Sequence, residues 1–232
     1  MTISNKLVSV IMSVHNAEQT LEQSILSIID QTYTNIEFLI VDDFSDDKSI
    51  KILKSYSTKF NNIKVFYNTE NIGLTKSLNK LIALSKGDYI ARQDADDVSM
   101  KNRIECQVNI MEKYNLDFSS TRAVIKDSNK KIPGLSFYLN SKLISKFKNP
   151  FIHGTFMFKK KSLEELGLYD ENFYYSQDYK LINEMFKNKF RYKKLYRVYY
   201  ELNMLNNISS IKKIEQKYYS DCVKNNINPT NI

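Results

Sequence analysis

Residues 87–97 read GDYIARQDADD, in which a short apolar run leads into three carboxylates within four positions, Asp94, Asp96 and Asp97. Side chains alternate along a strand, so Asp94 and Asp96 can point the same way, and Asp97 joins them if the chain turns there. Crowded carboxylates repel one another until a cation relieves them, and hard oxygen ligands suit Mg²⁺ or Mn²⁺ shared with a phosphate. The same stretch is also typical of a solvated acidic turn or a helix cap.

The first half of the chain alternates strand-like and helix-like segments. The pattern predicts strands at residues 7–12, 36–41, 63–67 and 88–92, the last with the apolar run Tyr89–Ala91. Between them apolar residues recur at helical spacing, as at Leu21, Ile25 and Ile28. Strands that alternate with helices predict an α/β fold with a mostly parallel sheet covered by helices on both faces.

The pattern weakens beyond about residue 116. It predicts strands at 118–125 and 155–158, a polar turn at 126–133, and helices near 162–166 and 181–186. The tail from Ser209 to Lys224 is amphipathic, and we expect such a helix to pack on the domain, on a partner or on a membrane surface.

The charge of the chain is unevenly distributed. Residues 1–116 carry 13 Lys and Arg against 15 Asp and Glu, whereas residues 117–232 carry 21 against 11. Candidate partners for the basic half are nucleic acid, an anionic membrane face and a phosphorylated acceptor, and the alternative is a solvated lysine-rich surface. The chain has no basic-aromatic RNA motif and no helix-turn-helix signature, so we expect no nucleic-acid partner.

Two distant cysteines and two histidines argue against a zinc site or a disulfide scaffold and favour a reducing cytoplasm. We recognise no secretory signal and no membrane span, because the apolar run at residues 7–14 is too short and lacks a cleavage region. The expected location is therefore cytoplasmic.

Polar residues follow three of the predicted strands. They lie at Ser13 to Asn16, at Asp42 and Asp43, and at Asp94 to Asp97. In open α/β sheets, ligands bind beyond the carboxyl ends of the strands. Because these clusters are distant in sequence but expected along one edge of one sheet, their convergence predicts a ligand site there.

The order and spacing of these motifs resemble those of family 2 glycosyltransferases, which have the GT-A fold and invert the transferred sugar. The resemblance runs over roughly residues 5–200 and includes Arg103 and Gln107. Its motifs are residues 10–16 (VIMSVHN), 41–47 (VDDFSDD), 71–74 (NIGL), 87–97, 150–155 (PFIHGT), 167–170 (GLYD) and 176–179 (SQDY). It implies one domain over residues 1–232, with a nucleotide-sugar-binding half at about 1–116, an acceptor half at about 117–205 and a C-terminal amphipathic helix at about 206–232.

The resemblance also implies roles for individual residues. Asp43 is expected to hydrogen-bond the uracil edge, Asn71 to sit beside the base, and Asp178 to be the catalytic base. The residues expected to bind the nucleotide are Ser13, Val14, Asp43, Asn71, Asp94 and Ala95. Asp96 and Asp97 are the expected ligands of Mn²⁺ or Mg²⁺.

Some positions leave alternatives open. His153 is either a hydrogen-bonded structural residue or a contact to the acceptor or a donor phosphate. Arg92 pairs with the acidic cluster or contacts phosphate, and for Arg103 we prefer an ion pair. Relatives usually carry Glu where Gln177 stands, so a second carboxylate role is in doubt there.

The activity implied is that of a metal-dependent, inverting hexosyl- or N-acetylhexosaminyltransferase. It would move one sugar from a nucleotide sugar, with UDP as the expected nucleotide, to a hydroxyl of a glycan or lipid-linked acceptor. Processive synthases of the family carry a Gln-x-x-Arg-Trp motif, and this chain has no Trp. The resemblance therefore implies a bacterial, non-processive enzyme of capsule or lipopolysaccharide biosynthesis, peripheral on the inner face of the cytoplasmic membrane.

Three alternatives compete with this interpretation. A Mg²⁺-binding receiver domain of signalling is also parallel α/β, but its paired acids follow the first strand and its phospho-acceptor the third. A nucleotidyltransferase typically needs a Gly-rich loop and a basic residue after the first strand, where Ser13 to Asn16 offer neither. A non-catalytic nucleotide-sugar-binding protein would have no need of Asp96, Asp97 and Asp178 together.

Overall fold

The computed structural model describes residues 5–204 and 212–230, and in this part of the chain nine strands form one sheet. The strands are β1 (Val8–Val14), β2 (Ile36–Asp42), β3 (Ile63–Tyr67), β4 (Tyr89–Arg92), β5 (Val98–Ser99), β6 (Phe118–Ile125), β7 (Lys131–Ile132), β8 (Met157–Lys159) and β9 (Tyr192–Leu202).

Helices pack on both faces of this sheet. The α-helices are α1 (Leu21–Ile29), α2 (Ser49–Lys59), α3 (Leu74–Leu84), α4 (Arg103–Tyr114), α5 (Ser141–Ile144), α6 (Lys160–Leu166), α7 (Gln177–Lys187) and α8 (Lys213–Asn225). Short 3₁₀ turns lie at Leu135–Tyr138 and His153–Thr155.

The strand order across the sheet is β3-β2-β1-β4-β8-β6-β9-β5, and β7 pairs with β6. Strands β1 to β4 are mutually parallel. Strand β8 runs antiparallel to both β4 and β6, while β9 is parallel to β6 and antiparallel to β5. The predicted α/β fold, with a mostly parallel sheet and a smaller mixed region formed by the later strands, is confirmed.

Alternation along β1 separates the two hydrophobic cores. Val8, Val10, Met12 and Val14 lie in a cluster with residues of α1, α2 and α4. Ile11 points to the other face and lies in a cluster with residues of α3, α6 and α7. A central parallel strand is covered on both faces in this way, which explains why its sequence is almost continuously apolar.

The long strand β9 is the main element that the sequence pattern does not predict. Its residues 192–202 read YKKLYRVYYEL, and Leu195, Tyr199 and Tyr200 are its buried residues. Interleaved Lys and Arg conceal the apolar pattern. The two lysines contact other elements through their ammonium groups, since Lys193 Nζ lies 3.0 Å from the centre of the Tyr114 ring and Lys194 Nζ lies 5.1 Å from the centre of the Phe137 ring. The strand expected at 155–158 begins two residues later, because His153–Thr155 forms a 3₁₀ turn.

The helix expected at about 206–232 falls partly on residues 206–211 and 231–232, which lie outside the described residues. Its described part, α8, packs Cys222 and Val223 against Phe173 and Tyr179. None of the helices in residues 5–204 and 212–230 is both long enough and apolar enough to cross a bilayer.

A close backbone approach at Gly87 gives a test of the packing between β1 and β4. A Cβ atom at Gly87 would lie 2.5 Å from the Ser9 backbone nitrogen and 2.9 Å from the Leu7 carbonyl oxygen. We expect Gly87→Ala to lower the free energy of unfolding by about 2 kcal/mol, because backbone atoms must move apart. Urea denaturation measures the change.

Ser55→Ala is the control, since Ser55 is exposed on α2 and Ala suits a helix. This change should alter the free energy of unfolding by less than about 0.5 kcal/mol. Equal stability of the two variants would contradict the close approach at Gly87.

Candidate active site

A cleft of about 1370 Å³ opens beyond the carboxyl ends of β1, β2 and β4. Its far wall is formed by the 3₁₀ turn at His153–Thr155 and by the start of α7, and α8 contributes Lys213, Gln216 and Lys217. The polar clusters that follow the strands therefore face one cavity. This is the place where open α/β sheets bind ligands.

A buried cation lies beneath the acidic cluster. The Arg92 side chain, at the end of β4, is fully buried, and its guanidinium forms an ion pair with the Asp94 carboxylate. The same guanidinium donates to the carbonyl oxygens of Ile11 and Gln93 at 3.2 Å, and to the Nε2 atom of His153 at 3.3 Å. Full burial removes Arg92 from direct contact with a ligand phosphate, so it acts through Asp94.

The turn that carries the three aspartates is held by the preceding Gln93 and by side chains at the start of α1. The Gln93 amide nitrogen donates to the carbonyl oxygens of Asp94 and Asp97. The hydroxyl of Ser24, in α1, donates to the Asp94 carbonyl oxygen at 2.8 Å, and that of Thr20, the residue before α1, donates to the Ala95 carbonyl oxygen at 3.1 Å. These bonds fix the turn, so the carboxylates are held at the edge of the cleft.

Tyr200 and Gly154 close the opposite side of Asp94. The Tyr200 hydroxyl accepts the Asp94 N–H at 3.1 Å. A Cβ atom at Gly154 would lie 2.4 Å from that hydroxyl and 2.6 Å from the Asp94 Oδ2 atom. A side chain at position 154 would therefore displace Asp94, which explains the glycine in the 150–155 motif.

The pKa values of Asp96 and Asp97 are both raised. Burial and the neighbouring Asp94 raise the pKa of Asp96 to about 6. Burial, Asp94 and Asp96 raise the pKa of Asp97 further, although a hydrogen bond from the Asn203 N–H at 2.8 Å opposes the shift. Two crowded carboxylates that resist ionisation are the setting in which a bound cation is most favourable.

The donor set fits a divalent ion only in part. Within residues 5–204 and 212–230, no three His, Cys, Asp or Glu side chains gather closely enough to hold a metal ion by themselves. Mg²⁺, however, is usually bound by one or two carboxylates plus substrate phosphates. Asp96 and Asp97 fit that pattern, while Asp94 is engaged by Arg92.

Asp43, after β2, ties down the loop that follows β3. Its Oδ1 atom accepts the Ile72 N–H and its Oδ2 atom accepts the Gly73 N–H, both at 2.9 Å. The Asn68 amide also donates to Oδ1 at 2.8 Å. Asp43 and Asn71 both line the cleft, so this carboxylate positions Asn71 as well as facing the ligand space.

Asp178 lies in the first turn of α7 and lines the cleft. Its Oδ2 atom accepts the Asn149 amide at 2.6 Å, and its Oδ1 atom accepts the Tyr179 N–H at 2.7 Å. Burial, partly opposed by that backbone N–H, raises the pKa of Asp178 to about 6. A carboxylate with this pKa is ionised at neutral pH yet basic enough to take a proton.

The helix α8 supports this turn. Ser176, the residue before α7, has a positive φ of 53°, and its hydroxyl donates to the Gln216 carbonyl oxygen at 3.3 Å. The C-terminal helix thus holds the backbone that aims Asp178 into the cleft.

His153 is held as a neutral acceptor. Burial and the nearby Arg92 guanidinium lower the pKa of His153 well below its ordinary value. Since the Nε–H group of Arg92 can only donate, the Nε2 atom of His153 must accept, and the proton resides on Nδ1. The Tyr169 hydroxyl lies 3.0 Å from the same Nε2 atom.

The cleft brings together most of the residues predicted from the sequence. Those that line it are Ser13, Asp43, Asn71, Asp94, Ala95, Asp96, Asp97, His153 and Asp178. Val14 differs: its side chain is fully buried in the core with α1, because alternation along β1 turns it away from Ser13. The assignment of ligand roles to these residues stays a prediction.

Arg103 also differs from expectation. It donates to the carbonyl oxygens of Gly154 at 2.7 Å and Arg92 at 2.8 Å, and its guanidinium lies 5.3 Å from the centre of the Tyr200 ring. Burial lowers the pKa of Arg103 to about 10, so it stays charged at neutral pH. Its role is to join backbone segments beneath the cleft, and the preferred ion pair was wrong.

Sequence reasoning missed Asn149, Tyr200, Gln93 and Asn203. Each acts by orienting a carboxylate or the backbone beside one, and each is distant in sequence from its partner or buried. Of these four residues, only Gln93 could have been predicted from the sequence. A side-chain amide directly before the acidic stretch is suited to donate hydrogen bonds to the backbone carbonyl oxygens of that stretch.

The sequence profile of glycosyl transferase family 2 matches residues 9–167 of this chain. The O-antigen biosynthesis glycosyltransferase WbnJ of Escherichia coli is 36% identical over 180 residues, which are 75% of this chain and 70% of that protein. Three other curated glycosyltransferase relatives are longer, and the matched part of this chain spans 40%, 42% and 33% of their lengths.

Two solved structures have the same fold. S. aureus TarS in complex with UDP has a TM-score of 0.75 at 19% identity, over 97% of this chain and 67% of that chain. The mannosyltransferase PcManGT of Pyrobaculum calidifontis, in complex with GDP-Man and Mn²⁺, has a TM-score of 0.75 at 18% identity, over 92% and 61%. The predicted GT-A fold is confirmed.

The protonation state of His153 can be measured directly, because the chain has two histidines. In a His15→Gln variant, we expect long-range ¹H–¹⁵N spectra to show a neutral ring with its proton on Nδ1 from about pH 6 to 8, because Arg92 occupies Nε2. Tyr169→Phe should keep this tautomer. A ring that titrates in that range, or that carries its proton on Nε2, would contradict the contact with Arg92.

Proposed function

The chain belongs to glycosyl transferase family 2, and on that premise we propose that it transfers one sugar from a nucleotide sugar to a hydroxyl group of an acceptor. The observation that carries the proposal is the pairing of two acidic centres across one cleft. Asp178, with its raised pKa of about 6, faces the cavity that Asp96 and Asp97 also line. Membership in the family excludes the receiver-domain alternative.

Asp178 is suited to act as the general base. The acceptor hydroxyl must lose its proton as its oxygen attacks the anomeric carbon, and the Asp178 carboxylate takes that proton. Asn149 orients the carboxylate through its Oδ2 atom, and the Tyr179 N–H holds Oδ1. The new glycosidic bond forms as the bond to the nucleotide diphosphate breaks, so a single displacement inverts the anomeric centre without an enzymic nucleophile.

Asp96 and Asp97 would hold a divalent ion. Such an ion, when bound, stabilises the negative charge that builds up on the departing diphosphate. Both carboxylates have raised pKa values, so they bind a cation most tightly once they have lost their protons. Asp94, paired with Arg92, is better suited to accept hydrogen bonds from the ribose.

The donor is proposed to be a UDP-sugar carrying a hexosyl or N-acetylhexosaminyl group. Ser13, Asp43 and Asn71 line the part of the cleft nearest β1 and β2, where the nucleoside would bind. TarS, which shares the fold, is solved with UDP, and PcManGT with GDP-Man and Mn²⁺. The name of WbnJ, O-antigen biosynthesis glycosyltransferase, supports an acceptor that belongs to a bacterial surface polysaccharide.

Asp178→Asn tests the base. We expect turnover with the accepted UDP-sugar to fall by about 10²-fold or more, because Asn cannot take the proton. UDP affinity, measured by calorimetry, should change less than about twofold. Asp127→Asn is the control, since Asp127 is exposed and its positive φ of 64° suits Asn. Unchanged turnover in Asp178→Asn would remove it as the base, and no transfer by the native chain with any donor would favour a non-catalytic binder.

The pH dependence gives a second test of Asp178. The value of kcat/KM should fall as the pH drops through about 6, because the base is then protonated. Asn149→Ala removes a hydrogen bond that lowers the pKa of Asp178, so the fall should begin at a higher pH. A shift to lower pH, or none, would contradict this role for Asn149.

Metal removal tests Asp96 and Asp97. Excess chelator should abolish transfer, and Mn²⁺ should restore it and strengthen UDP binding by about tenfold or more. Asp97→Asn should lose that strengthening while keeping an oxygen that accepts the Asn203 N–H. Asp46→Asn, at an exposed acidic residue after β2, should behave as the native chain. Full activity in chelator would overturn the metal proposal without affecting Asp178.

A further inference from the structure

An exposed apolar surface lies on the segment between β7 and the 3₁₀ turn at His153–Thr155. Of the fifteen large apolar side chains that are exposed in the described residues, five fall within residues 135–147, and a sixth, Tyr196 of β9, stacks on one of them. Leu135 is 87% exposed and Phe147 is 68% exposed. The six residues, named the 135–147 surface below, are Leu135, Tyr138, Leu139, Leu143, Phe147 and Tyr196. Clustered exposed apolar side chains mark a surface that binds something.

The charged side chains of the chain segment that carries this surface are positive. Between Asp127 and Glu164 the sequence has no Asp or Glu and eight lysines. Three of the lysines, Lys142, Lys146 and Lys148, are exposed and interleave with Leu143 and Phe147. Apolar side chains interleaved with lysines complement an anionic lipid surface, in which the former insert and the latter meet the headgroups.

The surface is built on fixed contacts. Beneath it, Phe137 is buried and packs edge-on against Tyr196 at 5.7 Å between ring centres. Tyr138 stacks on Tyr196 at 5.5 Å, and its hydroxyl accepts a hydrogen bond from Arg122 at 3.1 Å. The Lys194 ammonium donates to the carbonyl oxygens of Phe137 and Leu139. The apolar side chains are thus presented outward by an anchored segment.

This surface adjoins the catalytic side of the cleft. The segment that carries it continues directly into Asn149, whose amide holds the Asp178 carboxylate at 2.6 Å. Ile132, before the surface, and Asn149, Phe151 and Ile152, after it, line the cleft. A molecule embedded in a membrane under the 135–147 surface would therefore lie next to the opening that leads to Asp178.

The C-terminal helix is a weaker candidate for the same role. The apolar residues Cys222 and Val223 of α8 pack against Phe173 and Tyr179, and Tyr218 and Tyr219 join them. Lys213, Gln216 and Lys217 line the cleft. Ile214 is 83% exposed but is the one large apolar side chain of residues 213–225 that is exposed, so α8 has little to insert into lipid.

We propose that the 135–147 surface docks on an anionic lipid bilayer and so presents membrane-embedded acceptors to the cleft. Leu135, Leu139, Leu143 and Phe147 enter the interface between headgroups and acyl chains, the Tyr138 and Tyr196 pair lies at headgroup level, and the lysines neutralise lipid phosphates. The docking itself does not depend on the proposed function, whereas the presentation of an acceptor rests on it.

Vesicle co-sedimentation tests the docking. The native chain should bind vesicles of 30% phosphatidylglycerol in phosphatidylcholine and bind pure phosphatidylcholine at least about tenfold more weakly, because several lysines contribute. Leu135→Ser with Leu143→Ser should weaken binding to the anionic vesicles by about tenfold or more. Equal binding by this double variant, or equal binding to both vesicle types, would overturn the proposal.

Leu26→Ser with Leu84→Ser is the matched control. Both leucines are exposed, at 40% and 43%, but lie on α1 and α3, away from this segment. The control pair should bind vesicles as the native chain does, and urea denaturation should show that both double variants are folded. If instead the native chain forms a dimer that the Leu135 and Leu143 changes dissociate, and it does not bind vesicles, the occupant is a second copy and the proposal fails.

Two activity assays separate this inference from the proposed function. With a water-soluble acceptor, the Leu135 and Leu143 double variant should turn over at the native rate, whereas with an acceptor lipid in anionic vesicles its rate should drop about tenfold. Vesicle binding by a chain that transfers no sugar would support the docking and reject the activity. Sugar transfer by a chain that does not bind vesicles would support the activity and reject the docking.

Discussion

The ion pair between the buried Arg92 guanidinium and Asp94 is the interaction on which the site depends. Arg92 lies at the end of β4, fully buried, and its guanidinium also reaches the β1 carbonyl oxygen of Ile11 and the ring of His153. A buried guanidinium is tolerable only when its donors are satisfied and its charge is paired. Because Asp94 supplies that charge, the pair anchors the acidic turn to the sheet and to the opposite wall of the cleft.

Because Asp94 pairs with Arg92, its electrostatic environment differs from those of Asp96, Asp97 and Asp178. Asp94 forms the ion pair with Arg92, whereas burial and the nearby Asp94 carboxylate raise the pKa values of both Asp96 and Asp97. Burial and the charge of Asp94 also raise the pKa of Asp178, although hydrogen bonds from the Tyr179 N–H and the Asn149 amide partly oppose the rise. The same residue type therefore has three different chemical properties here. Asp94 is an anion paired with Arg92, Asp96 and Asp97 are suited to hold a cation, and Asp178 has a pKa of about 6 that suits a base.

The part of the chain after residue 117 also supports this site. Asn149 touches Asp178, the segment before Asn149 carries the exposed apolar surface, and Gln216 of α8 holds the turn in front of α7. The basic charge that the composition places after residue 117 is concentrated in part on this segment, between Asp127 and Glu164. The exposed apolar surface and Asn149, which contacts Asp178, are therefore adjacent parts of one chain segment, so a change in the surface is expected to affect the position of Asn149.

The sequence by itself determined the α/β class, the first four strands, the convergence of polar clusters at strand ends and the family, because hydrophobic periodicity and motif order are local properties. Only the tertiary structure decided that Val14 faces the core, that Arg103 bonds backbone carbonyls and that β9 enters the sheet. It also decided that Arg92, Asn149 and Tyr200 organise the aspartates. These facts depend on pairing between residues far apart in the chain and on burial, which sets pKa values, and neither is encoded in the spacing of residues along one segment.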